Sequence, residues 1–232
     1  MNIGEGGDFS KSGELYILKQ IYKHYKNEPS ITIFDVGANI GDYSKRIAEL
    51  FDNNTNIYSF EPSKKTYELF LNTTKNITNI IPNNIGFSDS ETSSILYSNS
   101  DGSGLASVYN RKLDHFNIKM DQTEEIHLST IDSFCTTNKI DKINFLKMDI
   151  EGHELNALIG AKNMLNEGKI DIIQFEFGGC NIDSRTYFRD FYYLLTEKYK
   201  LYRLLKHGIY ELPKYMESYE LFKNVNFLAI RK

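Results

Sequence analysis

Apolar residues in this chain fall into short unbroken runs that alternate with stretches spaced three to four residues apart. The first pattern reads as buried strands and the second as amphipathic helices. Residues 31–36 form the first run, end in a glycine-bearing turn, and are followed by 43–51 with Ile47, Leu50 and Phe51 on one helical face. A second strand is expected over 57–60, ending at Glu61 and Pro62. Ser63 then caps a helix whose buried side carries Tyr67, Leu69, Phe70 and Leu71. Ile80, Ile81 and Ile85 mark a third strand, 143–148 a fourth and 170–177 a fifth. Between the last two, 151–165 predicts one helix with Leu155, Leu158, Ala161 and Leu165 on one face. The tail predicts a helix near 186–199 and strands around 202–210 and 225–230. The aromatic cluster Tyr187, Phe188, Phe191, Tyr192 and Tyr193 reads as core packing, with stacking on a sugar ring as the alternative.

Alternating strands and helices imply parallel crossovers, hence an α/β sheet covered on both faces. Such sheets bind ligands at the carboxyl ends of their strands, near the switch in strand order. The polar stretch 89–125 breaks the rhythm and carries the turn signal Asp101-Gly102-Ser103-Gly104, so it is expected to lie over the ligand crevice with one or two short strands. The expected organisation is an N-terminal helical or lid segment over 1–30, with Gly4, Gly6 and Gly7 as mobile elements, and a single domain over 31–232. A length of 232 residues supports one core without staples.

The formal net charge of −4 lacks the basic excess of a dedicated nucleic-acid binder. No apolar run is long enough to span a membrane, and the first residues lack the apolar centre of a secretory signal. Two separated cysteines, Cys135 and Cys180, fit a reducing compartment, so a cytoplasmic location is expected.

Chemistry first enters at the turn after the first strand. Gly37 and Gly41 in the segment Asp35-Val36-Gly37-Ala38-Asn39-Ile40-Gly41 allow a tight turn and close backbone approach to a nucleotide, with a helix N-terminus behind. The segment is neither the dinucleotide fingerprint nor a P-loop. Glu61, twenty residues past Gly41 at the end of the second strand, can accept both hydroxyls of a ribose.

These segments resemble the FkbM family of S-adenosylmethionine-dependent methyltransferases. The resemblance rests on FDVGANIGDYS, SFEPS, LKMDIEGHELNALIGA and QFEF in that family's order, across roughly residues 31–177, and on NFLAI in the tail. It implies the Rossmann-like class I methyltransferase fold. That fold is an α/β, seven-stranded, mostly parallel sheet of order 3-2-1-4-5-7-6, with strand seven antiparallel and helices on both faces. By position, Gly37, Ala38, Asn39 and Gly41, with Tyr43 and Ser44, would wrap the methionine part of the cofactor. Asp35 would support the turn or reach the amino group. Glu61, with Pro62 and Ser63, would hold the ribose, and Asn84 and Gly86 would lie near the adenine. Asp149 belongs to both the cofactor and the catalytic sets.

Four titratable residues, Asp149, Glu151, His153 and Glu154, follow the fourth strand. Methyl transfer to a hydroxyl needs collinear geometry and a group to take the proton. His153 is the natural base near neutral pH, Asp149 and Glu151 are orienting carboxylates, and Glu176 at the end of the fifth strand is a second candidate base. Glu151 and Glu154 also suit a helix start for stability alone. A divalent metal would find Glu176 and Asn181 nearby, but no spacing is diagnostic and no metal ligand is assigned. Cys180 is placed at the site mouth, in a loop.

The expected function is O-methylation of a sugar hydroxyl in a glycan, capsule or lipooligosaccharide precursor, with S-adenosylhomocysteine as product. The acceptor is a small molecule or glycan; neither nucleic acid nor a membrane span enters, and a homodimer stays open. Two other readings remain: a nicotinamide-dependent oxidoreductase or nucleotide-sugar enzyme, and a non-catalytic module that keeps the fold.

Overall fold

The computed structural model describes residues 12–51 and 54–232, so the glycine-rich segment around Gly4 to Gly7 lies outside the described residues. Helix α1 (Glu14–Tyr25) leads into β1 (Ile31–Val36), α2 (Asp42–Leu50), β2 (Thr55–Phe60), α3 (Lys64–Thr74) and β3 (Ile80–Asn83). Strands β4 (Gly86–Phe87), β5 (Thr92–Ser98) and β6 (Gln122–Ser129) come next, then α4 (Ile131–Thr137) and β7 (Ile143–Met148). After them run α5 (Glu154–Ile159), α6 (Lys162–Asn166), β8 (Ile170–Phe177), α7 (Cys180–Ser184) and α8 (Phe188–Leu195). The chain closes with β9 (Tyr199–Leu205), β10 (Gly208–Glu211) and β11 (Val225–Arg231).

The main sheet has the order β10-β9-β11-β8-β7-β1-β2-β3. From β3 to β9 this is the expected 3-2-1-4-5-7-6, with β11 as strand seven, antiparallel to both β8 and β9. The sheet has eight strands where seven were expected. The segment 202–210, read as one strand, is a hairpin in which β10 folds back antiparallel on β9. A separate sheet, β4-β6-β5, holds most of the polar insertion's ordered backbone.

Period-two alternation along the strands divides the core between the two faces. Phe34, Val36, Leu146, Met148, Ile173 and Phe175 pack on one face with Phe188 and Phe191 of α8. Ile31, Ile33, Ile57, Phe145 and Ile172 pack on the other with Ile17, Leu18 and Ile21 of α1. Every residue of β7 and β8 is buried, as central parallel strands require.

The helix expected over 151–165 is broken in two places. Glu151 and Gly152 take left-handed backbone, φ 52° and 103°, so α5 starts only at Glu154. At Gly160 the chain runs so close to Ser88 that an added Cβ would lie 2.0 Å from its carbonyl oxygen, and α5 ends there.

Strand register sets the position of the site. Val36 is level with Phe60 on one side and with Met148 on the other. The residues that leave these three strands, Gly37, Glu61 and Asp149, therefore come out side by side. Met148 is also level with Phe175, which brings Glu176 next in the row.

Candidate active site

A crevice opens at these strand ends. Gly37, Asn39, Glu61, Pro62, Gly86, Asp149, Glu151 and His153 line its sheet side. The insertion covers it with Leu96, Ser103, Gly104, Ala106, Ser107 and Val108, joined by Ile126 and Leu128 of β6.

On the nucleotide side the turn is held by its own backbone. Gly37 has φ 81°, and a Cβ there would lie 1.9 Å from the carbonyl oxygen of Asp149, so only glycine lets these two strand ends meet. Asn39 is also left-handed, at φ 49°. Its backbone N–H donates to Glu61 Oε2 at 3.1 Å, and the N–H of Ser63 donates to Oε1 at 2.9 Å. Burial pushes the Glu61 carboxyl up to about 7 against these two hydrogen bonds. Each carboxylate oxygen keeps further acceptor capacity toward the crevice.

The remaining residues of the predicted cofactor set stand outside the crevice lining. Asp35 is fully buried; its Oδ2 accepts from the Ser44 hydroxyl at 2.6 Å, and Ser44 Oγ lies 2.8 Å from Ser59 Oγ. Lys147 Nζ sits 3.3 Å from Asp35 Oδ1, 3.6 Å from Asp149 Oδ2 and 4.9 Å from the centre of the Tyr43 ring. Burial alone would lower the Lys147 pKa, but Asp35, Asp149 and Glu14 outweigh it and keep the ammonium charged. Glu14 of α1 joins this network from outside the fingerprint segments, accepting from Gln174 Nε2 at 3.0 Å. Ala38 is packed in the core and Gly41 faces Phe70 and Thr74. Ser63 caps α3, with its side chain accepting from the N–H of Thr66. Asn84 donates to the carbonyls of Glu61 and Pro62, fixing the second strand's exit.

The four polar residues after β7 have separate environments. The Asp149 side chain is 41% exposed, in the crevice. Glu154 is turned back on its own loop, accepting from the N–H groups of Ile150 and Gly152 at 2.8 and 3.0 Å; burial pushes its carboxyl up to about 7. Glu151 is paired with Arg111 of the insertion, and Arg111 Nε also lies 3.6 Å from Asp183. Burial and then the Asp149 charge push the Glu151 carboxyl up, while Arg111 opposes them. His153 is buried, which lowers its pKa to about 4, so it is neutral near pH 7. Its Nε2 lies 3.0 Å from Ser88 Oγ and its Nδ1 3.0 Å from Tyr109 Oη. Ser88 donates onward to Asp89, so it accepts from Nε2–H, and Nδ1 accepts the Tyr109 hydroxyl.

Glu176, read as facing the crevice, is absent from its lining, and its carboxylate gathers with those of Glu151 and the Cys180 thiol. Cys180 is likewise no loop residue at the site mouth: it begins α7 and is fully buried. Sequence reasoning left Arg111 unplaced, missed Tyr109 and Glu14, and set the turn ending at Ser88 near the adenine without foreseeing its contact with His153. The insertion's path brings in Arg111 and Tyr109, the packing of α1 brings in Glu14, and Ser88 enters at the end of β4.

Among the described residues, no helix is long and apolar enough to cross a membrane. Comparison with known proteins finds 27% identity over 152 residues to the hexuronic acid methyltransferase AglP of Haloferax volcanii, covering 65% of this chain. The match spans 58% of that relative's length. The fold superposes on SMU.1697c of Streptococcus mutans, assigned as a methyltransferase and solved in complex with SAH. The TM-score is 0.50 at 9% identity, covering 94% of this chain and 97% of the other. The architecture is that of the class I Rossmann-like methyltransferases. Residues 35–204 match the methyltransferase FkbM domain, and the chain belongs to that family.

Proposed function

We propose that this chain is an S-adenosylmethionine-dependent O-methyltransferase whose acceptor is a hydroxyl of a sugar in a glycan or glycolipid precursor. The observation that carries the reading is the alignment of Gly37, Glu61 and Asp149 at three level strand ends. The residues fit the cofactor: the Gly37 turn leaves no room for a side chain, and Glu61 is a buried carboxylate with two lobes fixed and others open to a ribose diol. The cofactor supplies a methyl group made electrophilic by its sulfonium. A sugar acceptor fits the name of the Haloferax relative, a hexuronic acid methyltransferase.

Asp149 is the residue we assign to orient the acceptor hydroxyl and take its proton. Glu154 is committed to backbone N–H groups, Glu151 to Arg111, and both His153 nitrogens to Tyr109 and Ser88. That leaves Asp149 as the carboxylate with an exposed face in the crevice. Lys147 Nζ stands behind it, 3.6 Å from Oδ2. His153 then positions the loop after β7 rather than acting as the base. The apolar side chains of the insertion exclude water from the transfer, which strengthens the electrostatics inside.

Calorimetric titration with S-adenosylhomocysteine, with NAD as control, tests the cofactor. Micromolar binding of the first alone is expected, and preference for NAD would overturn the reading. A labelled methyl donor offered with neutral sugars, uronic acids and nucleotide sugars then tests the acceptor. Asp149→Asn is expected to lower turnover by about 10²–10⁴ with S-adenosylhomocysteine affinity within a few-fold of the parent. Full turnover in that variant would place the base elsewhere.

A further inference from the structure

Behind the crevice, the carboxylates of Glu151 and Glu176 and the thiol of Cys180 place one ligand atom each within 4.8 Å of one another. They come from three places: the left-handed turn after β7, the end of β8 and the start of α7. Glu176 is 7% exposed, and its Oε2 is shut off from solvent with no hydrogen-bond partner among the described residues. A buried, unpaired carboxylate oxygen costs a fold free energy unless something fills its lone pairs. Arg111, the cation paired with Glu151, is already committed to Glu151 and Asp183.

We propose that Glu151, Glu176 and Cys180 form a three-ligand site for a divalent transition-metal ion of the Zn2+ type. Two carboxylates and a thiolate match the oxygen and sulfur preferences of Zn2+, Fe2+ and Co2+, whereas Mg2+ and Ca2+ take oxygen alone. Bonds of about 2.0–2.2 Å to oxygen and about 2.3 Å to sulfur put tetrahedral ligand atoms about 3.5 Å apart, so these side chains need close by only roughly 1 Å. Arg111 holds Glu151 by Oε2, which leaves Oε1 for the ion. Binding releases to solvent the thiol proton and any proton held on the two carboxyls. Asn181 Oδ1, which now accepts weakly from Cys180 Sγ at 3.5 Å, stays satisfied by the N–H of Gly178 at 2.8 Å. A divalent ion and the Arg111 charge offset the three anionic ligands, with Asp183 the further anion on Arg111. Three protein ligands leave a fourth position for water or an acceptor oxygen, and Glu151 also borders the crevice.

The site extends beyond the methyltransferase reading and is tested without a methyl donor, so either can fail alone. The metal-free full chain is titrated with Co2+, following the sulfur-to-cobalt absorption in the near ultraviolet. One equivalent should bind, be displaced by Zn2+ and resist excess Mg2+. Cys180→Ser should abolish the band, and Glu176→Gln should weaken Co2+ binding at least tenfold while keeping the band at saturation. Glu176→Gln keeps the size of the side chain and replaces its carboxyl by a neutral amide, and circular dichroism verifies that the fold is kept. No band in the parent chain at large Co2+ excess overturns the proposal. So does a band that persists in Cys180→Ser, or unchanged affinity in Glu176→Gln.

Discussion

Glu61 and Glu151 border the same crevice and are each 7% exposed, yet the chain stabilises them by different means. Glu61 is held by the N–H groups of Ser63 and Asn39, which belong to the two turns that form the nucleotide side. Glu151 is held by the side chain of Arg111, forty residues upstream in the insertion. Its own backbone is left-handed, and the Ser107 hydroxyl donates to its carbonyl at 2.8 Å. The Glu61 side is thus held by backbone N–H groups of the turns after β1 and β2. The Glu151 side exists only once the insertion has docked. Under the proposed function, a cofactor common to many enzymes is served by the turns, and the acceptor side is free to vary with the insertion.

The sharpest way to break this contrast is to remove the distant partner. Arg111→Ala leaves Glu151 buried without its cation and is expected to cost about 3–5 kcal/mol. Thermal unfolding should show a midpoint lower by roughly 10 °C. Adding Glu151→Gln should recover part of the loss, and a single-variant drop of only a degree or two would show that the pair contributes little. Next comes the local construction itself. Gly37→Ala forces a side chain into left-handed backbone, at about 1–2 kcal/mol, and onto the Asp149 carbonyl besides. Loss of measurable S-adenosylhomocysteine binding is expected even in the fraction that folds, and retained affinity would mean that the turn can open.

The third test uses pH. Glu61 has its carboxyl raised to about 7, and a ribose diol donates best to the ionised form. Protonation therefore competes with the ligand, so affinity for S-adenosylhomocysteine should rise with pH through 7 and be up to about tenfold weaker at pH 6 than at pH 8. Glu61→Gln should bind weakly and without that slope; a slope that survives the substitution belongs to another group. The smallest effect is expected at Tyr109→Phe, which removes one hydrogen bond to His153 and so costs about 1 kcal/mol. Turnover should fall less than in Asp149→Asn, and an equal fall would move His153 back into the role of base.

Most strands of the main sheet were legible because central parallel strands are buried on both faces and leave unbroken apolar runs: 31–36, 143–148 and 170–177 coincide with β1, β7 and β8. The hairpin of β9 and β10 was missed because its turn at Lys206 and His207 carries no strong breaker before Gly208. The helix expected over 151–165 failed because apolar spacing cannot report a left-handed Glu151 or the approach of Ser88 to Gly160. At the site, Gly37, Asn39, Glu61, Pro62, Gly86, Asp149, Glu151 and His153 were named from sequence and all line the crevice. Asp35, Ala38, Gly41, Tyr43, Ser44, Ser63 and Asn84 were named with them but stand outside its lining. A motif records what a turn needs to hold its shape as well as what touches a ligand.

By itself, the sequence determined the alternation of strand and helix, the glycine turn after β1 and the acidic residue that ends β2. These follow from periodicity and backbone sterics within a few residues. Only the tertiary structure decided which carboxylate keeps a free face. Glu154 turned inward to its own loop, Glu151 was taken by Arg111, Glu176 was left with an unpaired oxygen beside Cys180, and Asp149 remained in the crevice. A buried charge must find its partner wherever the fold puts one, and sequence distance carries no information about that.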